Sequence, residues 1–276
     1  MGTDAADRKD TGPLTGSRDL LVQRSSMRLV KTLAKTAVEN ALSAFGLERT
    51  YAEGGWEWTQ LGRVGTDPLR DLRRILKIPK FGVIFDVGAN RGQTALEYSR
   101  AFPGYRIHSF EPDPETCAIL RLEARNASSV TPHCIGLGPQ DGEAQLILTR
   151  RSEGNSLLTP LTRDGVEWTE PKGEVIVPIR RLDTFCSDHN IVGLDLLKID
   201  TQGYELAVLQ GSGDLLQPDR IRSLFVEMQF EPLYASQAYF HELYSLLLKK
   251  GYRLVDLYNK YRRSDGTLRW CDGLFV

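Results

Sequence analysis

Four short apolar runs in this chain carry an acid at or just past their end: VIFDV with Asp86, RIHSF before Glu111, DLLKI before Asp200, and RSLFV before Glu227. Such runs, bounded by turn residues and separated by helical patterns, read as strands buried on both faces of a sheet. Helical patterning covers 92–101, 114–126, the stretch from Tyr204 to Gly211, and 241–251. Further strands are read at 129–135, 143–148, 174–179, 252–258 and 272–276. Strands that alternate with helices predict an α/β fold with a mostly parallel sheet covered on both sides.

The chain has 276 residues, 41% hydrophobic and 26% charged, enough for one large domain with an extension. Residues 1–19 are small, polar and charged and read as a disordered tail. Residues 20–80 read as a helical extension. Within it Met27, Val30, Leu33, Ala34, Ala37, Val38, Ala41, Leu42 and Phe45 recur at helical spacing, with Arg24, Arg28, Lys31 and Lys35 on another side. That face can pack on its own domain, on a second copy in a homodimer, or against a membrane surface. Residues 50–82 read as a loose connection with short helices, and the main domain as 81–276.

A net charge of -1 offers no electrostatic reason to propose nucleic acid as a partner. Cys117, Cys134, Cys186 and Cys271 are widely spaced, without a CxxC or a Cys/His pairing. That argues against a disulfide framework or a zinc knuckle and for a reducing cytosol. No apolar run approaches the length of a transmembrane helix, and the N-terminus lacks a signal-peptide core. The expectation is a cytoplasmic protein without a membrane span.

In open α/β sheets ligands bind at the carboxyl ends of the strands, where the strand order reverses. After the first strand come Gly88, Asn90 and Gly92, a sharp turn that lets backbone approach a ligand. Glu111 ends the next strand, where an acid can accept both hydroxyls of a ribose. Gly136 follows the third strand as a further cofactor contact. A dinucleotide turn reads G-x-G-x-x-G; here Asn90 replaces the second glycine and Asp86 precedes the turn. A carboxylate there opposes a pyrophosphate and suits an ammonium. S-adenosylmethionine (SAM), with an ammonium, a sulfonium and a ribose, is favoured over a nicotinamide dinucleotide. An NAD(P)-dependent oxidoreductase with an atypical glycine turn remains the rival reading, and a non-catalytic partner protein with the same fold is another.

FDVGANRGQTA, FEPDPETCAIL, GNSLL, RLDTF, LLKIDTQGYELAVLQG and LFVEM, in that order, resemble the FkbM-type SAM-dependent methyltransferases from about residue 65 onward. The resemblance implies a class I methyltransferase fold, a seven-stranded sheet whose last strand is antiparallel. It also implies O-methylation of a sugar hydroxyl in a glycan or of a natural-product hydroxyl. The chain departs at GLGPQDGEA after the third strand, and at Thr201-Gln202-Gly203, where many relatives have Val-Glu-Gly.

Methyl transfer to an aliphatic hydroxyl needs positioning and a proton acceptor. Asp200 is the first candidate, with a helix cap as its structural alternative. Lys198, hard to bury unpaired, can orient a carboxylate or touch substrate. Glu227 can hold substrate or share the base role. Asn155 and Ser156, in the polar insertion between the strands at 143–148 and 174–179, are candidate substrate contacts on a lid. His108 and His133 read as structural, Asp183 as a helix cap, and Trp56, Trp58 and Trp168 as packing or sugar-stacking residues. No metal ligand set is assigned.

Overall fold

A computed structural model describes the backbone of residues 47–52 and 55–60 and all atoms of residues 64–161 and 169–276. The disordered tail read at 1–19, the amphipathic helix at 27–45 and Trp168 lie outside the described residues. β1 (Leu47–Ala52) and β2 (Gly55–Gln60) form an antiparallel hairpin in register from Leu47–Gln60 to Ala52–Gly55. The sequence reading had placed helical and loose segments there. The hairpin belongs to one compact unit and residues 64–276 to a second.

The second unit opens with α1 (Pro68–Ile75), started by Asp67, which accepts a hydrogen bond from Arg70 N, and by Pro68 at its first turn. It then alternates β3 (Val83–Val87), α2 (Gln93–Ala101), β4 (Arg106–Phe110), α3 (Pro114–Glu123) and β5 (Val130–His133). After an excursion it resumes with α4 (Leu182–Asp188), β9 (Leu196–Ile199), α5 (Glu205–Gln210), β10 (Leu224–Gln229), α6 (Phe240–Lys249), β11 (Leu254–Arg262) and β12 (Leu268–Phe275). These strands make one seven-stranded sheet in the order β11-β12-β10-β9-β3-β4-β5. β12 runs antiparallel to both its neighbours, whereas β10, β9, β3, β4 and β5 pair in parallel. This is the class I methyltransferase arrangement.

The excursion is β6 (Gly136–Leu137), β7 (Gly142–Thr149) and β8 (Pro171–Arg180), a separate sheet in the order β6-β8-β7. The strands read at 143–148 and 174–179 exist but stay out of the main sheet, because they pair with each other as an antiparallel hairpin. Asp183 lies inside the first turn of α4, where it pairs with Arg181 instead of capping the helix.

Period-two alternation sorts the sheet's two faces. Val83, Phe85 and Val87 join one buried cluster with Leu197, Ile199, Leu224, Val226 and Met228. Ile84 joins the other with Leu196 and Phe225. Asp86, Lys198 and Glu227 fall on the second face by the same alternation, next to the first turn's end of the sheet. Asp195 closes the opposite end, its carboxylate accepting from Lys80 N, Phe81 N and Gly82 N at 2.7–2.8 Å.

One expectation is corrected here: Cys117 and Cys134 form a disulfide, while Cys186 and Cys271 are free and buried. Spacing gave no hint, because α3 and β5 fold back on each other and bring residues 17 apart into contact. No helix among the described residues is long and apolar enough to cross a membrane.

Candidate active site

The strand order reverses at β3: the chain runs outward through β4 and β5 and then returns to β9 on the other side. A cavity of about 310 Å³ opens at the carboxyl ends of these strands. Gly88 and Gly92 have positive φ, 77° and 92°, and so does Asn90 at 48°. A Cβ on Gly88 would fall on the backbone carbonyl of Asp200, so the turns after β3 and β9 meet only because residue 88 has no side chain. A Cβ on Gly92 would strike Leu120 of α3, so Gly92 serves helix packing and does not line the cavity.

The turn is hooked to β4. Gly88 N and Ala89 N both donate to Phe110 O at 3.0 Å, and Asn90 N donates to Glu111 Oε2 at 2.9 Å. Asp113 N donates to Glu111 Oε1 at 2.9 Å. Glu111 is thus a buried carboxylate fixed at the cavity wall, with one backbone N–H on each oxygen and lone pairs left for a ligand. Burial pushes its carboxyl up to about 7, against the pull of those two N–H bonds.

Asp86 does not face the cavity. It has no solvent exposure, and its carboxylate lies under the floor, 3.2 Å from Lys198 Nζ. The sequence reading has Asp86 suiting a ligand ammonium directly or through water; here its carboxylate is paired with the Lys198 ammonium. Lys198 does line the cavity, with Nζ 3.6 Å from Asp200 Oδ2. Burial opposes its charge, but Asp86 and Asp200 outweigh burial and hold the ammonium charged.

Asp200 lines the cavity with its side chain 38% exposed, so it is the accessible acid of this group. It is not a cap: α5 starts from Tyr204, and the N–H groups of Thr201 and Gly203 go to Glu205 Oε1 instead. Glu227 sits behind, 7% exposed and outside the lining. Asn155 and Ser156 line the cavity but spend their polar atoms on the scaffold. Asn155 accepts from Thr149 N at 2.8 Å and donates to Asp113 Oδ2 at 3.2 Å; Ser156 donates to Gln202 O at 2.8 Å. Gly136 completes one wall.

The sequence reading missed Gln202, Ser152 and Glu153, all in the lining. Gln202 was legible in principle as the neighbour of a strand-end acid. Ser152 and Glu153 were not, because they arrive on a 3-10 turn after β7, where Ser152 Oγ lies 3.2 Å from Asn90 Nδ2. His108 and His133 lie outside the lining, with Nδ1 of one 3.0 Å from Nε2 of the other among Phe85, Phe110 and Phe185.

The donor set fits SAM. Glu111 offers two carboxylate oxygens for a ribose, and acids surround the space. Among the described residues lining it, Lys198 is the one cation and it is already paired, which leaves no free cationic side chain for a pyrophosphate.

The chain is similar in sequence to several methyltransferases. Methyltransferase 1 of Beauveria bassiana is 31% identical over 154 residues, covering 51% of this chain and 62% of that protein. The 2-O-methyltransferase NoeI of Sinorhizobium fredii is 25% identical over 198 residues, covering 68% and 79%. The 31-O-demethyl-FK506 methyltransferase FkbM of Streptomyces tacrolimicus is 27% identical over 180 residues, covering 57% and 69%. Among solved structures, Aeropyrum pernix fibrillarin aligns with a TM-score of 0.42 at 12% identity, over 84% of this chain and 83% of that one. The methyltransferase FkbM domain family matches residues 86–254, more than half of the chain. With a class I sheet, a cavity at its switch point and this match together, the chain belongs to the FkbM family of SAM-dependent methyltransferases.

Proposed function

We propose that this protein methylates a hydroxyl oxygen of a sugar or natural-product acceptor, with Asp200 receiving the proton. The observation that carries the reading is the pairing of two acids in one cavity: Glu111, fixed by backbone N–H groups, and Asp200, accessible and 2.8 Å from the amide of Gln202. Two relatives whose names specify O-methylation, at a 2-O and a 31-O position, support oxygen as the acceptor atom.

SAM, when bound, supplies a methyl group activated by its sulfonium. The chain's residues then have limited work. Glu111 accepts hydrogen bonds from the ribose hydroxyls. The turn at 88–92 gives a close backbone approach. Lys198 keeps the carboxylates of Asp86 and Asp200 in place. Asp200 would take the proton of the acceptor hydroxyl as that oxygen is methylated. Positioning and one general base account for the catalysis.

The test is calorimetric titration of the protein with S-adenosylhomocysteine, NAD⁺ and NADP⁺ in parallel, followed by mass-spectrometric screening of hydroxylated acceptors with SAM. Saturable binding of S-adenosylhomocysteine alone, and acceptors that gain one methyl on oxygen, are expected. Binding of a nicotinamide nucleotide instead would overturn the reading.

A further inference from the structure

The cavity occupies the carboxyl ends of the strands, and the opposite end of the same sheet carries a surface that no step of the proposed reaction uses. Four segments meet there, each leading into a strand: 77–82 before β3, 190–195 before β9, 218–223 before β10 and 248–253 before β11. β11 starts at this end because β12 runs antiparallel to both β10 and β11. Hydrogen bonds lace the segments together. Arg222 Nη1 donates to Ile78 O at 2.5 Å, and Lys80 Nζ to Asp219 O at 2.5 Å. Arg220 Nε donates to Val192 O at 2.7 Å, and the Tyr252 hydroxyl to Ile221 O at 2.8 Å. The rim is therefore one continuous surface.

Its composition is one-sided. Ile78 is 72% exposed and Val192 66%, the two highest values among the large apolar side chains of the described residues, and Leu248 adds a third at 45%. Around them stand six exposed cations, Lys77, Lys80, Arg220, Lys249, Lys250 and Arg253, against one exposed acid, Asp219. Lys80 and Arg220 donate to neutral carbonyls, which leaves their charges uncompensated. The other acid at this end, Asp195, is buried, and its carboxylate is taken by three backbone N–H groups and by Arg222 at 3.5 Å.

Cations near a helix C-terminus answer the helix dipole, and Lys77, Lys249 and Lys250 stand at the ends of α1 and α6. The dipole gives no reason to hold isoleucine, valine and leucine in water beside them. Nucleic acid or an acidic protein would account for the cations alone. An anionic bilayer accounts for both, because phosphate headgroups meet the cations while aliphatic side chains enter the boundary between headgroups and acyl chains.

We propose that this rim is a docking surface for an anionic phospholipid bilayer. Ile78, Val192 and Leu248 are the side chains that insert, and the surrounding lysines and arginines lie at the level of the phosphates. Three aliphatic side chains make a reversible contact, and its electrostatic part is screened by salt. The rim and the cavity lie at opposite ends of the sheet, so docking leaves the cavity open.

The experiment is co-sedimentation of the full chain with vesicles of phosphatidylcholine, alone and mixed with phosphatidylglycerol, at low and high salt. Binding to the mixed vesicles that weakens in high salt and on phosphatidylcholine alone is expected. Ile78→Asp/Val192→Asp and, separately, Lys77→Glu/Lys250→Glu should each lower the partition by about tenfold or more. An unchanged melting temperature and circular dichroism spectrum shows that a variant is folded. Lys77→Gln/Lys250→Gln, which removes charge without reversing it, serves where the reversal does not fold. No binding to the mixed vesicles overturns the proposal. Binding that both folded variants keep also overturns it, and moves the lipid contact to the basic N-terminal stretch with Arg24, Arg28, Lys31 and Lys35. A duplex oligonucleotide is run in parallel. Its binding, lost in the charge variant and kept in the aspartate variant while vesicles stay unbound, would assign the cations to nucleic acid and overturn the proposal as well.

Discussion

Asp86 and Lys198 are register partners across β3 and β9, and the ammonium nitrogen of Lys198 lies 3.2 Å from Asp86 Oδ1. Asp86 has no exposure, and burial pushes its carboxyl up from the ordinary range while the Lys198 ammonium pulls it back down. Lys198→Met leaves that carboxylate alone under the cavity and should cost about 3–5 kcal/mol of stability. Asp86→Asn combined with Lys198→Met should recover part of the loss. Urea denaturation of the two variants checks both statements.

Glu111 accepts one backbone N–H on each oxygen and faces the cavity with what remains. Glu111→Ala should weaken S-adenosylhomocysteine binding by about 1.5–3 kcal/mol, the range for hydrogen bonds to charged groups. Calorimetry checks it. Unchanged affinity would remove the ribose contact from this residue.

Asp200 is the accessible acid beside the cofactor space. Asp200→Asn should lower turnover roughly 10²–10⁴-fold while cofactor affinity stays within a few-fold. Single-turnover kinetics on an acceptor from the screen separates the two effects. Near-normal turnover would move the base role elsewhere.

The His108–His133 contact requires an N–H on one ring and a bare nitrogen on the other. Burial first, then nearby cationic groups, push both down from 6.5 to about 4. Between those values the unfolded chain binds protons that the folded chain refuses, so stability falls as pH drops from 6.5 toward 4. The raised carboxyls of Glu111 and Glu205, at about 7, act in the opposite sense. His108→Gln/His133→Gln should therefore lose less stability than wild type over this window, and the difference between their pH–stability curves isolates the histidines.

Cys117 and Cys134 close a loop of 17 residues. Loop-closure entropy for that length gives roughly 3 kcal/mol of stabilisation. Alkylation of denatured, unreduced protein should label Cys186 and Cys271 alone, and reduction should lower the denaturation midpoint accordingly. Four labelled cysteines before reduction would refute the bond.

The strands and helices of the main unit were legible because burial on both faces forces continuous apolar runs, and turns force glycine, proline or asparagine. VIFDV and LLKID are cases in point: both are fully buried up to the last residue or two. Two of the four strand-end acids, Glu111 and Asp200, line one cavity. What the runs could not say was which sheet a strand joins. The segments at 143–148 and 174–179 carry the right pattern and yet pair with each other. Nor did the hairpin at 47–60 stand out, because Trp56 and Trp58 in a charged stretch give only a weak alternating signal.

The sequence by itself determined the fold class, the glycine turn after VIFDV and the row of acids at the strand ends, because each is a local requirement of chain geometry or burial. Only the tertiary structure decided which acid faces the cavity. Asp86 and Asp200 look equivalent as strand-end carboxylates, but Asp86 lies within β3 and points beneath the floor, whereas Asp200 lies one residue past β9 in the open turn. The partnerships of Gln202 with Glu227, 25 residues away, and of Cys117 with Cys134 were likewise set by how strands and helices return to one another. Those contacts depend on register and on which sheet face a side chain leaves, and neither is written in the order of residues alone.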